Sequence, residues 1–407
     1  MRCGLLGQTL GHSYSPQIHN MLADYSYELF EIEPSSLELF LKSNNFDGLN
    51  VTIPYKKAVI PYCDELSDCA SRLGAVNTLI RGSDGRLVGH NSDYFGFTFM
   101  AQQSGLSFSG KKVLILGSGG ASATVQAVLN DLGAQPIVIS RNGNNNYQNL
   151  HIHRDASILV NTTPVGMYPH VGISPVNLDL LPNLVGVLDV VYNPARTQLL
   201  LDAEKRGLVA MNGLWMLVAQ AKESAEWFLG KKLNDDLIAA VHRRLHNRMQ
   251  NIILVGMPGC GKSTVGKALA KLTGRNFVDT DSYIVKKAGK DIPLIFREDG
   301  EDIFRTLETE VIAEFGKQSG LVIATGGGCV TQPQNYPLLH QNGMIIWLAR
   351  DLHQLTTDGR PLSQGNQLEE MYRIRSPLYE RFADHVIANN AEPQMIAATI
   401  AALEENR

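Results

Sequence analysis

Residues Asn251–Thr264 read NIILVGMPGCGKST, and this stretch limits what its part of the chain can fold into more than any other. Four apolar residues, Ile252–Val255, lead into Gly256-Met257-Pro258-Gly259-Cys260-Gly261-Lys262-Ser263, a match to G-x-x-x-x-G-K-[ST]. Glycines at these positions let successive backbone N–H groups turn inward around a phosphate chain. Lys262 then neutralises β/γ-phosphate charge, and the hydroxyl of Ser263, next to Thr264, is placed to hold Mg²⁺. Helical spacing resumes over Val265–Leu272, so the phosphates meet a helix N-terminus, where the backbone dipole favours anions. Strand, loop and helix in this order predict a P-loop α/β domain for phosphoryl transfer, beginning near residue 249. The residues before it must form something else.

A chain of 407 residues has room for two or three domains. A net charge of −4 leaves no basic footprint for nucleic acid or an anionic membrane surface. The cysteines (Cys3, Cys63, Cys69, Cys260, Cys329) include no C-x-x-C pair and no His/Cys cluster at metal spacing. Such usage suits free thiols in a reducing cytosol, and a cytoplasmic location is expected. The N-terminus, MRCGLLGQTLGHS, lacks a long apolar core, and no apolar run approaches ~18 residues, so neither export nor membrane insertion is expected.

Leu10–Asn20 (LGHSYSPQIHN) sets Ser13 and Ser15 on either side of Tyr14. In an extended segment both hydroxyls face one side, and Pro16 suits the first turn of a helix through Ile18, Met21 and Leu22. The plain alternative is that one serine merely caps that helix. Asp47–Lys57 (DGLNVTIPYKK) alternates as a strand over Leu49–Ile53; Pro54 ends it, leaving Lys56 just beyond. Arg72–Leu79 (RLGAVNTL) reads as a buried turn carrying Asn77 and Thr78. Leu87–Phe97 (LVGHNSDYFGF) puts Asp93 behind Asn91 and Ser92 at the head of a helix, a position that a simple capping residue also fills.

HSYSP, NVTIPYK, GAVNT and GHNSDYFG, in this order and at this spacing, resemble the substrate domain of the shikimate dehydrogenases, and the resemblance runs from residue 1 to about 245. It implies that Ser13, Ser15, Thr52, Asn77 and Gln220 hydrogen-bond the hydroxyls and carboxylate of a small cyclic acid. It also implies that Lys56 and Asp93 form the catalytic pair. Reducing a ketone requires a proton at oxygen as hydride reaches carbon, and a lysine beside a carboxylate can deliver it, with a gain typically of ~10²–10⁴-fold. Lys56 is thus expected as acid/base, with Asp93 as its partner and a substrate ligand.

Lys111–Leu116 (KKVLIL) reads as a buried parallel strand, followed directly by Gly117-Ser118-Gly119-Gly120-Ala121-Ser122-Ala123 and helical spacing through Val125, Val128 and Leu129. This is a Rossmann-type turn with Ser122 as its third small residue. After the next strand, Pro136–Ser140, a cofactor with a free ribose would meet an acid; Arg141 stands there instead and can pair with a 2′-phosphate, favouring NADP. Asn142-Gly143-Asn144 replaces the second basic residue usual in the resembled family. Ile158–Met167 (ILVNTTPVGM) resembles the family's N-x-T-P-x-G-M, which implies that Thr163, Gly166 and Met167, with Gly213, line the cofactor. Leu188–Leu200 is expected to end a strand at Tyr192, which matches a substrate-side tyrosine. Asn212–Gly230 is a helix with Leu214, Leu217 and Val218 on one apolar face and Gln220 one turn on from Met216.

In the last third, Phe277-Val278 is a short strand, and Asp279 and Asp281 are expected to project from its end on the same side. Two carboxylates facing a phosphate cradle suit one near Mg²⁺ and one accepting a proton from an attacking hydroxyl; capping Ser282 is the plain reading. Arg305 and Glu308 are helix neighbours at i,i+3, and Thr325-Gly326-Gly327-Gly328 permits close backbone approach. Arg360 lies on a loop that can close, and Arg375 is expected just before a helix. This set resembles the shikimate kinases over residues 251–407. The resemblance implies that Asp281, Arg305, Gly327, Gly328 and Arg375 bind shikimate, the two arginines clamping its carboxylate. It further implies that Asp279 holds Mg²⁺ through water, that Asp281 is the base and that Arg360 is a lid arginine. The lid, Leu352–Gly365, is short and has no arginine before Gly359 to stack on adenine; Ala388–Pro393 (ANNAEP) has none either.

The expected architecture is α/β throughout. A substrate-binding α/β domain spans 1–105, completed by helices at about 213–245; a Rossmann-type NADP domain spans 106–212; a P-loop kinase α/β domain spans 249–407. The expected function is bifunctional: NADPH-dependent reduction of 3-dehydroshikimate, then phosphorylation of shikimate by MgATP. The alternatives are a quinate- or NAD-preferring dehydrogenase fused to a kinase for another small hydroxy acid, and a non-catalytic ligand sensor. Only small-molecule partners are expected.

Overall fold

The three apolar runs at Cys3, Val113 and Ile252 each become an inner strand of a separate sheet, which is where a strand apolar on both faces must go. The computed structural model describes residues 1–11, 13–43, 45–355 and 366–405. The first sheet holds β1 (Arg2–Gly7), β2 (Ser26–Glu31), β3 (Gly48–Val51), β4 (Glu65–Leu66), β5 (Thr78–Arg81) and β6 (Leu87–His90) in the order β2-β1-β3-β5-β6-β4. It is mixed: β5 runs antiparallel to both β3 and β6. The second comprises β7 (Lys112–Leu116), β8 (Gln135–Ile139), β9 (Ile158–Asn161), β10 (Gly186–Asp189) and β11 (Val209–Met211), all parallel, in the order β11-β10-β9-β7-β8. The third comprises β12 (Asn251–Val255), β13 (Asn276–Asp279), β14 (Leu321–Ala324), β15 (Gly343–Ala349) and β16 (His385–Ala388), also all parallel, in the order β13-β14-β12-β15-β16.

By contact density the chain forms two units: Met1–Val165 with Ser174–Tyr192 and Asp202–Leu245, and Gly166–Ile173 with Asn193–Leu201 and His246–Arg407. In the first, the helix Asp93–Gln103 packs tightly on the helix Leu214–Leu229, since a Cβ on Gly96 would lie 2.7 Å from the Met216 carbonyl oxygen and 2.8 Å from Gln220 Cβ. Near the start of this unit His19 is fully buried, stacked on Tyr27 at 4.0 Å and sharing a 2.6 Å hydrogen bond with Tyr25; burial pushes its imidazole down to about 3.

In the second unit the last turn of the helix Asp236–Met249 is clasped by the C-terminal helix Pro393–Glu405. Asn247 Nδ2 donates to the Glu404 carbonyl at 2.6 Å, while Arg275 donates to the Asn247 carbonyl at 2.5 Å and to the Glu404 carboxylate at 2.8 and 2.6 Å. Among the described residues no helix is long and apolar enough to cross a membrane.

Candidate active sites

In the first unit Lys56 leaves the turn after β3 and Asp93 opens the helix Asp93–Gln103, and the two side chains meet at 2.5 Å. Both are mostly buried, so the pair is shielded but not sealed. Asp93 is therefore no capping residue: Ser92 holds the N-cap position, and its hydroxyl goes elsewhere. Ser92 Oγ lies 2.8 Å from Ser224 Oγ, donates to Gln220 Oε1 at 3.3 Å and accepts from Asn77 Nδ2 at 3.1 Å. Asn50 and Thr78 reach Ser224 at 2.7 and 3.0 Å, and Tyr27 donates to Asn50 at 2.7 Å. This buried network fixes Asn77 and Gln220 relative to each other, across 143 positions of sequence, and joins them to the head of the Asp93 helix. Tyr27, Asn50, Ser92 and Ser224 are members that sequence reasoning missed; adjacency to Asp93 hinted at Ser92, and one helical turn from Gln220 at Ser224.

Ser13 and Ser15 do not lie on an extended segment. Tyr14 between them is helical (φ −82°, ψ −5°), Ser15 is the first residue of the helix Ser15–Leu22, and its N–H donates to Ser13 Oγ at 3.2 Å. Pro16 follows in the first turn, where its missing N–H costs no helical hydrogen bond. The methyl of Thr52 comes close to Gly7, where a Cβ would be 2.8 Å away. Tyr192 stands beyond the strand, not at its end: Asp189 closes β10 by accepting from Val191 N–H at 3.0 Å and from Asn161 Nδ2 at 2.9 Å. Tyr192 makes an edge contact with Tyr14, ring centroids 6.1 Å apart, and burial pushes its phenol up to about 12.

At the end of β7, Gly117 has φ +101°, and a Cβ there would strike Thr163 at 2.9 Å. Gly119 and Gly120 face open space, and Ser122 is fully buried on the inner face of the helix Gly120–Asp131, as close helix–strand packing requires. The strand order reverses between β7 and β9, so this turn and Thr163 flank the crevice where such sheets bind ligands. Open backbone at a helix N-terminus fits a pyrophosphate. Ala121 is half-buried in that first turn; Arg141 follows β8 on an exposed turn, where a guanidinium can meet a 2′-phosphate. Gly213 admits no side chain, since a Cβ would lie 2.1 Å from the Val190 carbonyl oxygen. Gly166 (φ +85°) and Met167 belong to the short segment grouped with the second unit.

In the second unit β12 feeds a loop with positive φ at Gly256, Gly259 and Gly261, and the helix Lys262–Thr273 follows. Lys262 Nζ donates to the Gly256 and Met257 carbonyls at 2.8 and 3.0 Å, spanning the cradle; Thr264 lines the same cavity. Ser263 donates to Asp279 at 2.6 Å, an oxygen pair that suits Mg²⁺ bound chiefly by phosphate and water. Asp279 also caps the next helix by accepting from Ser282 N–H at 3.2 Å, as the plain reading expects. Asp281 is not on the strand; it lies in the first turn of the helix Thr280–Ala288 and reaches the cavity from there.

The Thr325–Gly328 turn explains its own glycines. A Cβ on Gly326 would lie 2.5 Å from Glu308 Oε1 and 2.8 Å from Asp281 Oδ1; on Gly327, 2.6 Å from Pro258; on Gly328, 2.3 Å from Arg305 Nη1. Arg305 donates to Glu308 at 2.7 Å and to Glu301 at 3.2 and 3.0 Å. Glu308 is fully buried, its Oε1 has no hydrogen-bond partner among the described residues, and burial pushes its carboxyl up. Arg375 donates to the Gly327 carbonyl at 3.2 Å. It sits inside the helix Asn366–Phe382, which continues through Pro377 because Tyr379 and Phe382 beyond it are buried in the core. Pro258, Lys262, Asp281, Arg305, Arg350 and Arg375 all line one cavity of about 710 Å³. Arg360 lies outside the described residues.

Comparison with known proteins agrees with both halves. Residues 5–79 match the family model of the shikimate dehydrogenase substrate binding domain, and residues 258–404 match that of shikimate kinase. The chain is 35% identical over 267 residues to a shikimate dehydrogenase (NADP(+)) of Clostridium beijerinckii, covering 61% of this chain and 98% of that protein. It is 37% identical over 270 residues to one of Shouchella clausii, covering 59% and 97%. Among solved structures, a chorismate mutase/shikimate 5-dehydrogenase fusion protein from Clostridium acetobutylicum aligns with TM-score 0.58 and 33% identity, over 60% of this chain and 96% of that one. Shikimate 5-dehydrogenase of Thermus thermophilus, in complex with NADP(H) and shikimate, aligns with TM-score 0.54 and 31% identity, over 60% and 99%.

Proposed function

The chain belongs to the shikimate dehydrogenase family and carries a shikimate kinase domain behind it, and we propose on that premise which of its residues do which step. It is a bifunctional enzyme: NADPH-dependent reduction of 3-dehydroshikimate to shikimate, then ATP-dependent phosphorylation of shikimate.

The dehydrogenase step rests on the 2.5 Å Lys56–Asp93 pair. Bound NADPH supplies the hydride. Lys56 delivers the proton to the carbonyl oxygen, and Asp93 holds Lys56 in place while accepting a substrate hydroxyl. Ser13, Ser15, Thr52, Asn77, Tyr192 and Gln220 bind the acid's oxygens, with Ser92 and Ser224 setting the amides of Asn77 and Gln220 and Gly213 shaping the turn beside Val190. Arg141 takes the 2′-phosphate over the Gly117–Ala121 turn, with Thr163, Gly166 and Met167 along the cofactor.

The kinase step rests on the single cavity that joins the phosphate cradle to Asp281, Arg305 and Arg375. The two guanidiniums orient the substrate carboxylate, and the Gly327–Gly328 backbone lies against the ring. Asp281 accepts the proton of the attacking hydroxyl, and Lys262 offsets charge on the transferring phosphoryl. Ser263 and, through water, Asp279 would hold Mg²⁺, which would screen phosphate charge when bound, and Arg360 is assigned to the charge on the transferring phosphoryl. The substrate domain then spans 1–105 with the helices at about 213–245, the dinucleotide domain 106–212 and the kinase 249–407. Free thiols at all five cysteines suit the cytoplasm.

The test is one assay on the purified chain with dehydroshikimate, NADPH and MgATP, following cofactor absorbance and ADP release together. Lys56→Ala should abolish only the first signal when shikimate is also supplied, and Asp281→Asn only the second. If either substitution removed both signals, two independent sites would be the wrong description.

A further inference from the structure

Sheet order divides the kinase cavity. β13 and β14, which end in Asp279 and the Thr325–Gly328 turn, lie on one side of β12; β15 and β16 lie on the other. Arg305, Glu308, Asp281 and Arg375 gather around the Gly326–Gly328 backbone, on the first side. With the acid held there and the P-loop in the middle, a nucleotide whose γ-phosphate faces the acid must run its remaining phosphates toward β15 and β16.

The first residue past β15 is Arg350 and the first past β16 is Asn389. Asn389 N–H donates to the Ala349 carbonyl at 2.7 Å, and Asn389 Nδ2 donates to the Cys260 carbonyl within the P-loop. The two strand ends are thereby fastened to the cradle. A Cβ on Gly261 would lie 2.8 Å from Asn389 Nδ2 and 3.7 Å from Arg350 Nη1, so the guanidinium stands beside the residue that opens the phosphate-binding helix. Arg350 lines the cavity, its Nε is buried without a hydrogen-bond partner, and no carboxylate pairs with it among the described residues. A guanidinium with no acid of its own, partly buried beside a phosphate-binding loop, calls for an anion.

We propose that Arg350 is a nucleotide-phosphate ligand, gripping the α/β-phosphates of ATP and ADP from the β15 side of the P-loop. As the bond from the γ-phosphorus to the bridging oxygen breaks and the bond to the acid's hydroxyl oxygen forms, the electron pair remains on ADP and the hydroxyl proton goes to Asp281. Arg350 stabilises the charge gathering on ADP. It supplies a cation that the lid before Gly359 and the Ala388–Pro393 stretch lack. This rests on the kinase reading above and extends it.

The experiment is equilibrium binding of ADP and, by competition, of adenosine to the full chain, to Arg350→Ala and to Arg350→Lys, with shikimate binding measured alongside. Arg350→Ala should raise the ADP Kd about 10- to 100-fold and leave adenosine and shikimate unchanged, and Arg350→Lys should recover part of the loss. Unchanged ADP affinity in Arg350→Ala overturns the assignment. An equal loss for adenosine puts the arginine on the nucleoside and overturns it too, and so does parallel loss of shikimate binding in both variants, which would mark a structural role. A native chain that binds ADP but fails to phosphorylate shikimate would instead defeat the kinase reading, leaving the ADP comparison intact.

Discussion

Gly328→Ala tests whether Arg305 clamps substrate, and it does so without removing any charge. The added Cβ would lie 2.3, 2.4 and 2.6 Å from Nη1, Nη2 and Cζ of Arg305. Ordinary carbon–nitrogen contact needs roughly 1 Å more. Arg305 cannot simply swing away, because it is mostly buried and hydrogen-bonded to both Glu308 and Glu301. The guanidinium must therefore shift by about 1 Å with its partners, a misplacement that typically costs on the order of 100-fold, or about 2.7 kcal/mol. The expected result is a fall of that size in kinase kcat/KM for shikimate, with the ATP KM and dehydrogenase activity unchanged. Arg305→Ala is the coarser comparison: it leaves Glu308 buried and unpaired, with a stability cost of about 3–5 kcal/mol. Steady-state kinetics at varied shikimate decide the matter. A Gly328→Ala enzyme with native kcat/KM would show that the space is not filled by a substrate-bound arginine.

Three further outcomes are expected. Lys56→Ala should lower the dehydrogenase rate by ~10²–10⁴-fold and spare phosphorylation, measured on the same preparation. Arg141→Ala should raise the NADPH KM about fivefold, a modest effect for an exposed guanidinium, while NADH turnover stays as it was. His19 is held neutral in the fold and titrates normally when unfolded, so its stabilising contribution is complete above pH ~6.5 and declines as pH falls toward about 3. At about 1.36 kcal/mol per unit this amounts to roughly 2 kcal/mol between pH 6.5 and 5. His19→Gln should flatten the acid side of the urea-unfolding profile of the first unit by that amount; an unchanged slope would refute it.

Local signals were strong where one segment makes the whole structure. The P-loop and the Gly117–Ser122 turn are each strand, loop and helix in one continuous stretch, and both formed as their spacing implied. Signals failed where tertiary packing decides. Proline chemistry argues for a break near Pro377, but burial of Tyr379 outweighs the one missing hydrogen bond. Strand alternation places Asp279 and Asp281 together on an extended segment, whereas Asp279 caps a helix that takes Asp281 with it. Ser224 and Asn50 are 174 positions apart, and no pattern in either neighbourhood announces that they meet. Arg350 was equally silent, since an arginine after a strand is ordinary until the sheet order shows which loop it stands beside.

Asn247, Arg275 and Glu404 bear on how the enzyme can be dissected. A clone of the C-terminal half begun at residue 249 discards Asn247, and with it both the carbonyl that Arg275 needs and the amide that holds the Glu404 backbone. Such a fragment would be weakened at its terminal helix for reasons unconnected with the missing dehydrogenase. Experiments that compare the fused protein with its severed halves therefore need the cut placed upstream of this helical turn, or a loss of fragment integrity will be mistaken for a benefit of fusion.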